Sequence, residues 1–446
     1  MQKEINLEKI KHVHFIGVGG IGVSALARMM LAQGKSVSGS DILESRITKE
    51  LAEIGAHISI GHKAENIPDG ADLMIYTIAV SPNNPEFEEI TRRNIPAVSY
   101  PEFLGLISEN MFTIAVSGTH GKTTTTAMVA DVLWNEGINP TVIVGSLLKN
   151  GGSNFIAGEM PAHILGEEYD KGVLVVEACE YRRSFVNLNP HILIITNIDN
   201  DHLDYYKDME DIISAFNEVA LKVPENGFVI ADNKNSYIKR ALRGVKAQIV
   251  DYPTYDVSRL NLRIPGAHNR ENAKTVLALV SVLRSDPAKA EEALENFSGT
   301  WRRFEHKGKT KAGADVYDDY AHHPTEVKAT LAGAREKFPN SKITIVFQPH
   351  LYSRTKLLLD DFAHSFGCAD NVVLAPIYAA REEFDPSINS EMLAEKIRVL
   401  NKSVNSFAAF GNIVEHLKHK LKEGDILITM GAGDIYKVGE ALVLVL

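Results

Sequence analysis

The sequence predicts three consecutive α/β domains, each built on a largely parallel sheet. Three observations carry this. The 446 residues exceed what one hydrophobic core ordinarily serves and fit about three domains. Short apolar runs alternate with helical stretches in three successive blocks, the pattern of strands joined by crossover helices. Two of the blocks carry a glycine turn between a strand and a helix.

The first block opens with a strand over His12 to Gly17 and a helix over Ile21 to Gln33. Ser36 to Ser40 reads as a second strand ending at Asp41, followed by a helix over Thr48 to Ile54, a strand over Leu73 to Ile78 and a helix over Pro85 to Arg93. Pro101 and the stretch to Asn110 mark a boundary, giving a first domain over 1–110. The second block starts with the strand Met111 to Val116 and a helix from about Thr123. Its strands Val173 to Ala178 and His191 to Thr196 are nearly continuous apolar runs, as expected when both faces of a sheet are covered. A helix near Asn269 to Leu283 follows the PGAHN turn, and Gly299 to Phe304 reads as a second hinge, so the central domain spans 111–300. The third, 301–446, has strands at Asp315 to Tyr317, Lys342 to Phe347, Asn371 to Leu374 and Asp425 to Met430.

Composition narrows the classes of function. A hydrophobic content of 45% allows ordinary cores and argues against long disordered tracts. The net charge of −10 excludes a general nucleic-acid partner, which needs clustered positive charge. Lys418, His419, Lys420 and Lys422 read as a solvated helix end. The two cysteines, Cys179 and Cys368, are too few and too far apart for a disulfide framework, and a reducing compartment is expected. The N-terminus shows no leader pattern, and no run of about 18 apolar residues predicts membrane insertion.

The run V-S-G-T-H-G-K-T-T-T-T at 116–126 is the strongest chemical signal. Backbone N–H groups of a turn at a helix start, with the positive helix end, suit a phosphate. Gly118, Thr119, His120 and Gly121 form the turn, Lys122 adds a mobile cation, the Thr123 hydroxyl can join a Mg²⁺ shell, and Thr124 follows in the helix. The common phosphate loop has a glycine where Val116 stands, so this turn is tighter.

Gly17, Gly19 and Gly22, with Gly20 and Ile21 between them, form the other turn. Asp41 follows roughly twenty residues later, beside Ser40, where an acid can take ribose hydroxyls. The motif supports a nucleotide diphosphate; from residues alone NAD stays open, as does simple helix–strand packing. Glu177, in V-V-E-A-C-E, and His202, in N-I-D-N-D-H, fall at strand ends where they point toward the phosphate turn, and carboxylate and imidazole suit Mg²⁺. Glu180, Asp199, Asp201 and Asp204 read as caps or solvated acids. Asn269 and Asn272, spaced i, i+3, share a helix face; they either read a base edge or cap a helix. Arg302 and Arg303 follow the second hinge, where an exposed charged pair is the ordinary expectation and a phosphate-reaching arginine the functional one. In the last block, D-D-Y-A-H-H-P (Asp318, Asp319, Tyr320, His322, His323) and Q-P-H-L-Y-S-R (His350, Arg354) each follow a strand and predict a second pocket. Zinc is disfavoured, since adjacent histidines rarely both ligate one ion.

Together H-F-I-G-V-G-G-I-G-V-S-A-L-A, S-G-T-H-G-K-T-T, D-D-Y-A-H-H-P-T-E-V and F-Q-P-H-L-Y-S-R-T resemble the ATP-dependent Mur ligases of peptidoglycan synthesis. They span nearly the whole chain in the family's order. The resemblance implies a Rossmann-like N-terminal domain for a UDP-sugar rather than NAD, a central P-loop domain for ATP, and a Rossmann-like C-terminal domain for an amino acid. It implies that Gly19, Gly20, Ile21 and Gly22 hold the diphosphate, with Ser40 and Asp41 near the uridine. It places Thr123, Glu177 and His202 at the Mg²⁺ site, Asn269 and Asn272 at the adenine, and Arg303 and Asp318 on ATP. Tyr320, His322, His350 and Arg354 fall around the incoming amino acid. Lys122, Glu177, His202 and Arg303 are the residues on which chemistry is expected to rest. The implied reaction joins L-alanine to UDP-N-acetylmuramate through an acyl phosphate, in the cytoplasm. A later peptidoglycan ligase, a murein-peptide recycling ligase, a folate-type ligase and a nucleotide-gated binding protein are the rivals. Three departures from the family pattern stand out: Leu351 where many relatives have arginine, Arg381 where many have glycine, and the E-A-C-E-Y string in place of an acid-richer one.

Overall fold

The computed structural model describes residues 5–148, 152–202, 205–380, 382–400 and 403–443. Three larger α/β sheets are present, as the alternation predicts, besides a two-stranded antiparallel pair, Ala162–Ile164 with Glu167–Tyr169. They lie in two compact units: one comprises Met1–Asn261 with Glu271–Asn296, the other Leu262–Arg270 with Phe297–Leu446.

The first unit holds two of the larger sheets and the small antiparallel pair. In the N-terminal one, five parallel strands run in the order His57–Ile60, Ser36–Asp41, His12–Ile16, Leu73–Tyr76, Ala97–Ser99. The glycine turn leaves the central strand, between Ser36–Asp41 and Leu73–Tyr76, so it sits where the strand order reverses, the place open α/β sheets bind ligands. The short edge strands His57–Ile60 and Ala97–Ser99 escape a sequence reading because they are brief and partly exposed.

The second sheet has seven strands: Gln248–Asp251, Phe228–Ala231, Ile192–Ile195, Phe112–Ser117, Val173–Glu177, Thr141–Ile143 and Phe155–Ile156. All pairings are parallel except the last. Every residue of Ile192–Ile195 and Phe112–Ser117 is buried, which explains their unbroken apolar reading. One continuous apolar cluster runs from Val13 and Phe15 through Phe103, Leu104 and Ile107 to Phe185, Leu193 and Phe216. The helix Tyr100–Ser108 links the two sheets. Ser99 and Glu102 form its capping box, with Pro101 in the first turn.

The second unit holds six strands in the order Glu305–Lys309, Asp315–Asp319, Ile426–Met430, Ile343–Phe347, Asn371–Leu374, Ser403–Ser406. The first pairing is antiparallel and the rest parallel. Its core is Val327, Leu331, Ile345, Phe347, Phe362 and Ile428, all fully buried. No helix among the described residues is long and apolar enough to cross a membrane.

Candidate active site

The phosphate turn is the product of its neighbours as much as of its own sequence. Its strand, Phe112–Ser117, lies between Ile192–Ile195 and Val173–Glu177, with Glu177 paired to Val116 and Ile195 to Ser117. The two flanking strands therefore deliver their following residues to either side of the turn. From one side, Thr196 donates to the His120 carbonyl (2.6 Å) and the Asn197 side chain brackets His120, accepting from its N–H (2.9 Å) and donating to its C=O (3.0 Å). The backbone N–H of Thr119 is held by the Asn197 carbonyl at 3.1 Å, and Nε2 of His120 lies 3.1 Å from Asp199 Oδ2. Gly118 is obligatory: its φ is +130°, and a Cβ there would lie 2.0 Å from Thr196 Oγ1. The helix Lys122–Asn135 starts directly after, and Thr123 and Thr124 are buried in its first turn.

From the other side comes Glu177. Its Oε1 accepts the Thr123 hydroxyl at 2.9 Å and its Oε2 the Gly145 N–H at 2.6 Å. A hydroxyl and a carboxylate oxygen converging at a phosphate turn are the hard donors Mg²⁺ prefers. Lys122 Nζ reaches the carbonyls of Gly118 (2.6 Å) and Thr119 (3.0 Å) and the carboxylate of Glu180 (2.8 and 3.1 Å). Burial opposes the lysine's charge, but Glu180 outweighs it and holds the pKa above the usual value. Glu180 corrects the sequence reading, which set it among caps and solvated acids: it is 2% exposed. Burial pushes its carboxyl upward, yet Lys122 and then His202 more than reverse this, so it is held ionised. His202, at φ +56°, brings Nε2 to 3.5 Å from Glu180 Oε1. Asp199 is part-exposed and accepts the Asn200 N–H, as a capping acid does, while its other oxygen meets His120 of the turn. Asp204 lies outside the described residues. The Asn272 amide oxygen sits 2.6 Å from where a side chain on Gly121 would begin, which brings this residue to the turn. Asn269 donates to the Pro265 carbonyl at 2.7 Å.

The N-terminal turn is built differently. Gly19 donates its N–H to Asp41 Oδ2 (2.8 Å), and Gly20, at the helix N-cap, donates to the Gly17 carbonyl (3.1 Å). Gly22 allows a close approach, since a Cβ there would lie 2.7 Å from the Tyr100 ring. The Ile21 carbonyl and Ser24 Oγ accept from the buried Asn154 side chain, the latter at 2.8 Å, which ties this helix start to the neighbouring sheet. Ser40, expected near the uridine, is fully buried and its hydroxyl donates to Glu86 (2.8 Å).

In the second unit Arg302 overturns the expectation of an exposed charged pair. It is 2% exposed; Nε donates to Asp318 (2.6 Å) and the two terminal nitrogens donate to the carbonyls of Gly433 (2.7 Å) and Gly431 (2.6 Å). Asp318, expected on ATP, is enclosed with it: its other oxygen accepts Thr429 Oγ1 at 2.6 Å, so the carboxylate braces Arg302. Burial raises its pKa even against the pull of Arg302. Arg303 is half-buried and lies 5.2 Å over the Tyr320 ring. The residues of the two polar turns come together. His322 Nδ1 lies 3.0 Å from the Tyr320 carbonyl, the His322 and His350 rings are 5.8 Å apart, and His350 stacks on Tyr378 while its Nδ1 faces Arg354 at 3.3 Å. Tyr378 was missed; only its neighbourhood after a strand hinted at it. Leu351 is buried with φ +68° and donates its N–H to the Tyr378 carbonyl, so this departure fills core space. Arg381 lies outside the described residues.

A parallel-sheet scaffold with a strand–turn–helix phosphate site, a lysine and a hydroxyl–carboxylate pair defines an enzyme of nucleoside triphosphates. The chain belongs to the Mur ligase family: the family's catalytic domain matches residues 12–111, its middle domain 116–260 and its glutamate ligase domain 302–433. Members are ATP-dependent, amide-bond-forming ligases, and so is this chain. It is 41% identical to a UDP-N-acetylmuramate–L-alanine ligase of Caldanaerobacter subterraneus subsp. tengcongensis, over 98% of both chains. It is 42% identical to one of the same name from Clostridium botulinum (strain Loch Maree), over 97% of each. Among solved structures it is similar to a UDP-N-acetylmuramate–alanine ligase of Thermotoga maritima, with TM-score 0.78, 30% identity and 97% and 98% of the two chains covered.

Proposed function

We propose that this chain joins L-alanine to UDP-N-acetylmuramate at the expense of ATP, in cytoplasmic peptidoglycan precursor synthesis. The observation that carries this is the 41% identity over 98% of a relative so named, together with a phosphate turn flanked by Thr123, Glu177, Lys122 and His202. The division of labour follows the sequence. Residues 1–110 take the UDP-sugar, 111–300 take ATP, and 301–446 take the amino acid.

The sugar's lactyl carboxylate attacks the γ-phosphorus of ATP; the bond to the β–γ bridging oxygen breaks and ADP leaves. The turn's backbone N–H groups and Lys122 meet the negative charge of the transferring group. Thr123, Glu177 and His202 would hold Mg²⁺, which supplies charge neutralisation on the phosphates when bound. The amine of L-alanine then attacks the acyl phosphate carbonyl, loses a proton and expels phosphate, leaving the amide. Asn272 lies beside the turn for the nucleotide. With Gly19 and Gly20 committed inside their turn, the diphosphate falls to the first-turn amides from Ile21 and Gly22, which have no intrahelical acceptor. Asp41 braces the turn. Tyr320, His322, His350 and Arg354 receive the amino acid, Arg354 as its carboxylate partner and Arg303 as a cation for the nucleotide.

The test is phosphate release with each substrate omitted in turn, and with L-alanine, glycine and L-serine compared. Release should require both UDP-N-acetylmuramate and the amino acid, with L-alanine favoured. ATP turnover that needs neither would sink the proposal.

A further inference from the structure

Glu180 reaches both Lys122 and His202 with one carboxylate. Its Oε2 lies 2.8 Å from Lys122 Nζ and its Oε1 3.1 Å from the same nitrogen and 3.5 Å from His202 Nε2. Its own backbone is pinned, because the buried Tyr206 phenol donates to the Glu180 carbonyl. No other described acid bonds to Lys122: Glu177 bonds instead to Thr123 and Gly145.

From this arrangement we infer that Glu180 is a positioning residue for phosphoryl transfer, orienting Lys122 and His202 together. The inference rests on the ATP-ligase reading of the site. A carboxylate facing Nε2 keeps the ring proton there and turns Nδ1 outward as a lone-pair donor, the usual partner arrangement behind a metal-binding histidine. Lys122 has a flexible four-carbon stem, and two carbonyls plus a carboxylate restrict where its ammonium sits. The same negative charge lies next to the phosphate turn and opposes an incoming anion. Glu180 therefore trades ground-state nucleotide affinity for orientation, which distinguishes it from a residue that only supports the fold.

Glu180→Gln keeps the shape and removes the charge. In the full-length protein, a fluorescent ATP analogue titrated without metal should bind about threefold tighter or more. The Mg²⁺ concentration giving half-maximal nucleotide quenching should rise about tenfold, and kcat should fall about tenfold with the KM for UDP-N-acetylmuramate unchanged. Glu180→Asp should restore part of the Mg²⁺ response. In a His202→Asn background, Glu180→Gln should add nothing to the Mg²⁺ shift, because it acts through that ring. Weaker metal-free binding, an unchanged Mg²⁺ midpoint or a fully additive cycle would each overturn the inference. If the wild type releases no phosphate with both substrates but the binding split appears, the proposed function falls and the role of Glu180 stands.

Discussion

The two glycine turns of the first unit leave equivalent places in two largely parallel sheets, yet they are built differently. The N-terminal turn is braced by a carboxylate, with Asp41 taking the Gly19 N–H, and no lysine follows it. The central turn is bracketed by Thr196 and Asn197, has Asp199 against its His120, and carries Lys122 on the first residue of its helix. A turn that only holds a diphosphate needs amides and a helix end. A turn that presents a phosphoryl group for transfer also needs positive charge where negative charge redistributes. The glycine pattern therefore marks phosphate, whereas the cation marks chemistry.

The sharpest way to break the comparison is Lys122→Ala. Turnover should fall about a thousandfold or more, consistent with a major electrostatic contributor, while the KM for UDP-N-acetylmuramate changes little. Steady-state kinetics with both substrates varied reads this, and an unchanged kcat would refute the difference between the turns. Next come the glycines. Gly118→Ala forces a side chain into Thr196 at positive φ, so nucleotide affinity should drop about a hundredfold in a direct titration, the order of cost of a displaced binding loop. Gly22→Ala meets the Tyr100 ring and should instead raise the KM for the UDP-sugar about tenfold, leaving nucleotide binding intact. Exchanged phenotypes would mean that the turns serve the opposite ligands. Asp41→Asn should have a smaller effect, a UDP-sugar KM about threefold higher, because an amide oxygen still accepts from Gly19 but without charge.

What the sequence revealed, and what it hid, follows from how local each feature is. Lys122, Thr123, Glu177 and His202 were legible because a strand, a turn and a helix start are written in consecutive residues, and parallel strands send their ends to one edge. Glu180 was not legible. Nothing in E-A-C-E-Y says that Tyr206 and Lys122 will enclose its last acid, since that burial is assembled from segments far apart in the chain. Arg302 failed for the same reason: W-R-R-F reads as surface charge until Asp318, Gly431 and Gly433 close around it. The burial of Ser40 against Glu86 was hidden likewise, because four successive residues of its strand are buried and Glu86 comes from a distant helix. The short strands His57–Ile60 and Ser403–Ser406 carry exposed polar residues and lack a strand's apolar signature.

The smallest predicted effect on activity, and the most specific on stability, concerns the ground beneath the N-terminal turn. Glu86 is fully buried and accepts from Ser40 (2.8 Å), Asn66 (2.7 Å) and His62 (3.0 Å), with His14 Nε2 at 3.8 Å. Burial alone would raise its pKa, but the nearby His14 and the bonds from Asn66 and Ser40 prevail and lower it. A carboxyl depressed by folding adds stability that is present above its unfolded pKa and lost as pH falls through the folded one. Glu86→Gln should therefore cost about 2 kcal/mol near pH 7, the scale of breaking a buried charged hydrogen-bond set. The gap to wild type should close progressively below about pH 4.5. Amide exchange in the strand Ser36–Asp41 reads it locally, free of the other sheets. Faster exchange there, with the central turn's nucleotide affinity unchanged, would show that each turn stands on its own support. A gap that does not move with pH would mean that shape rather than charge sustains the support beneath the N-terminal turn.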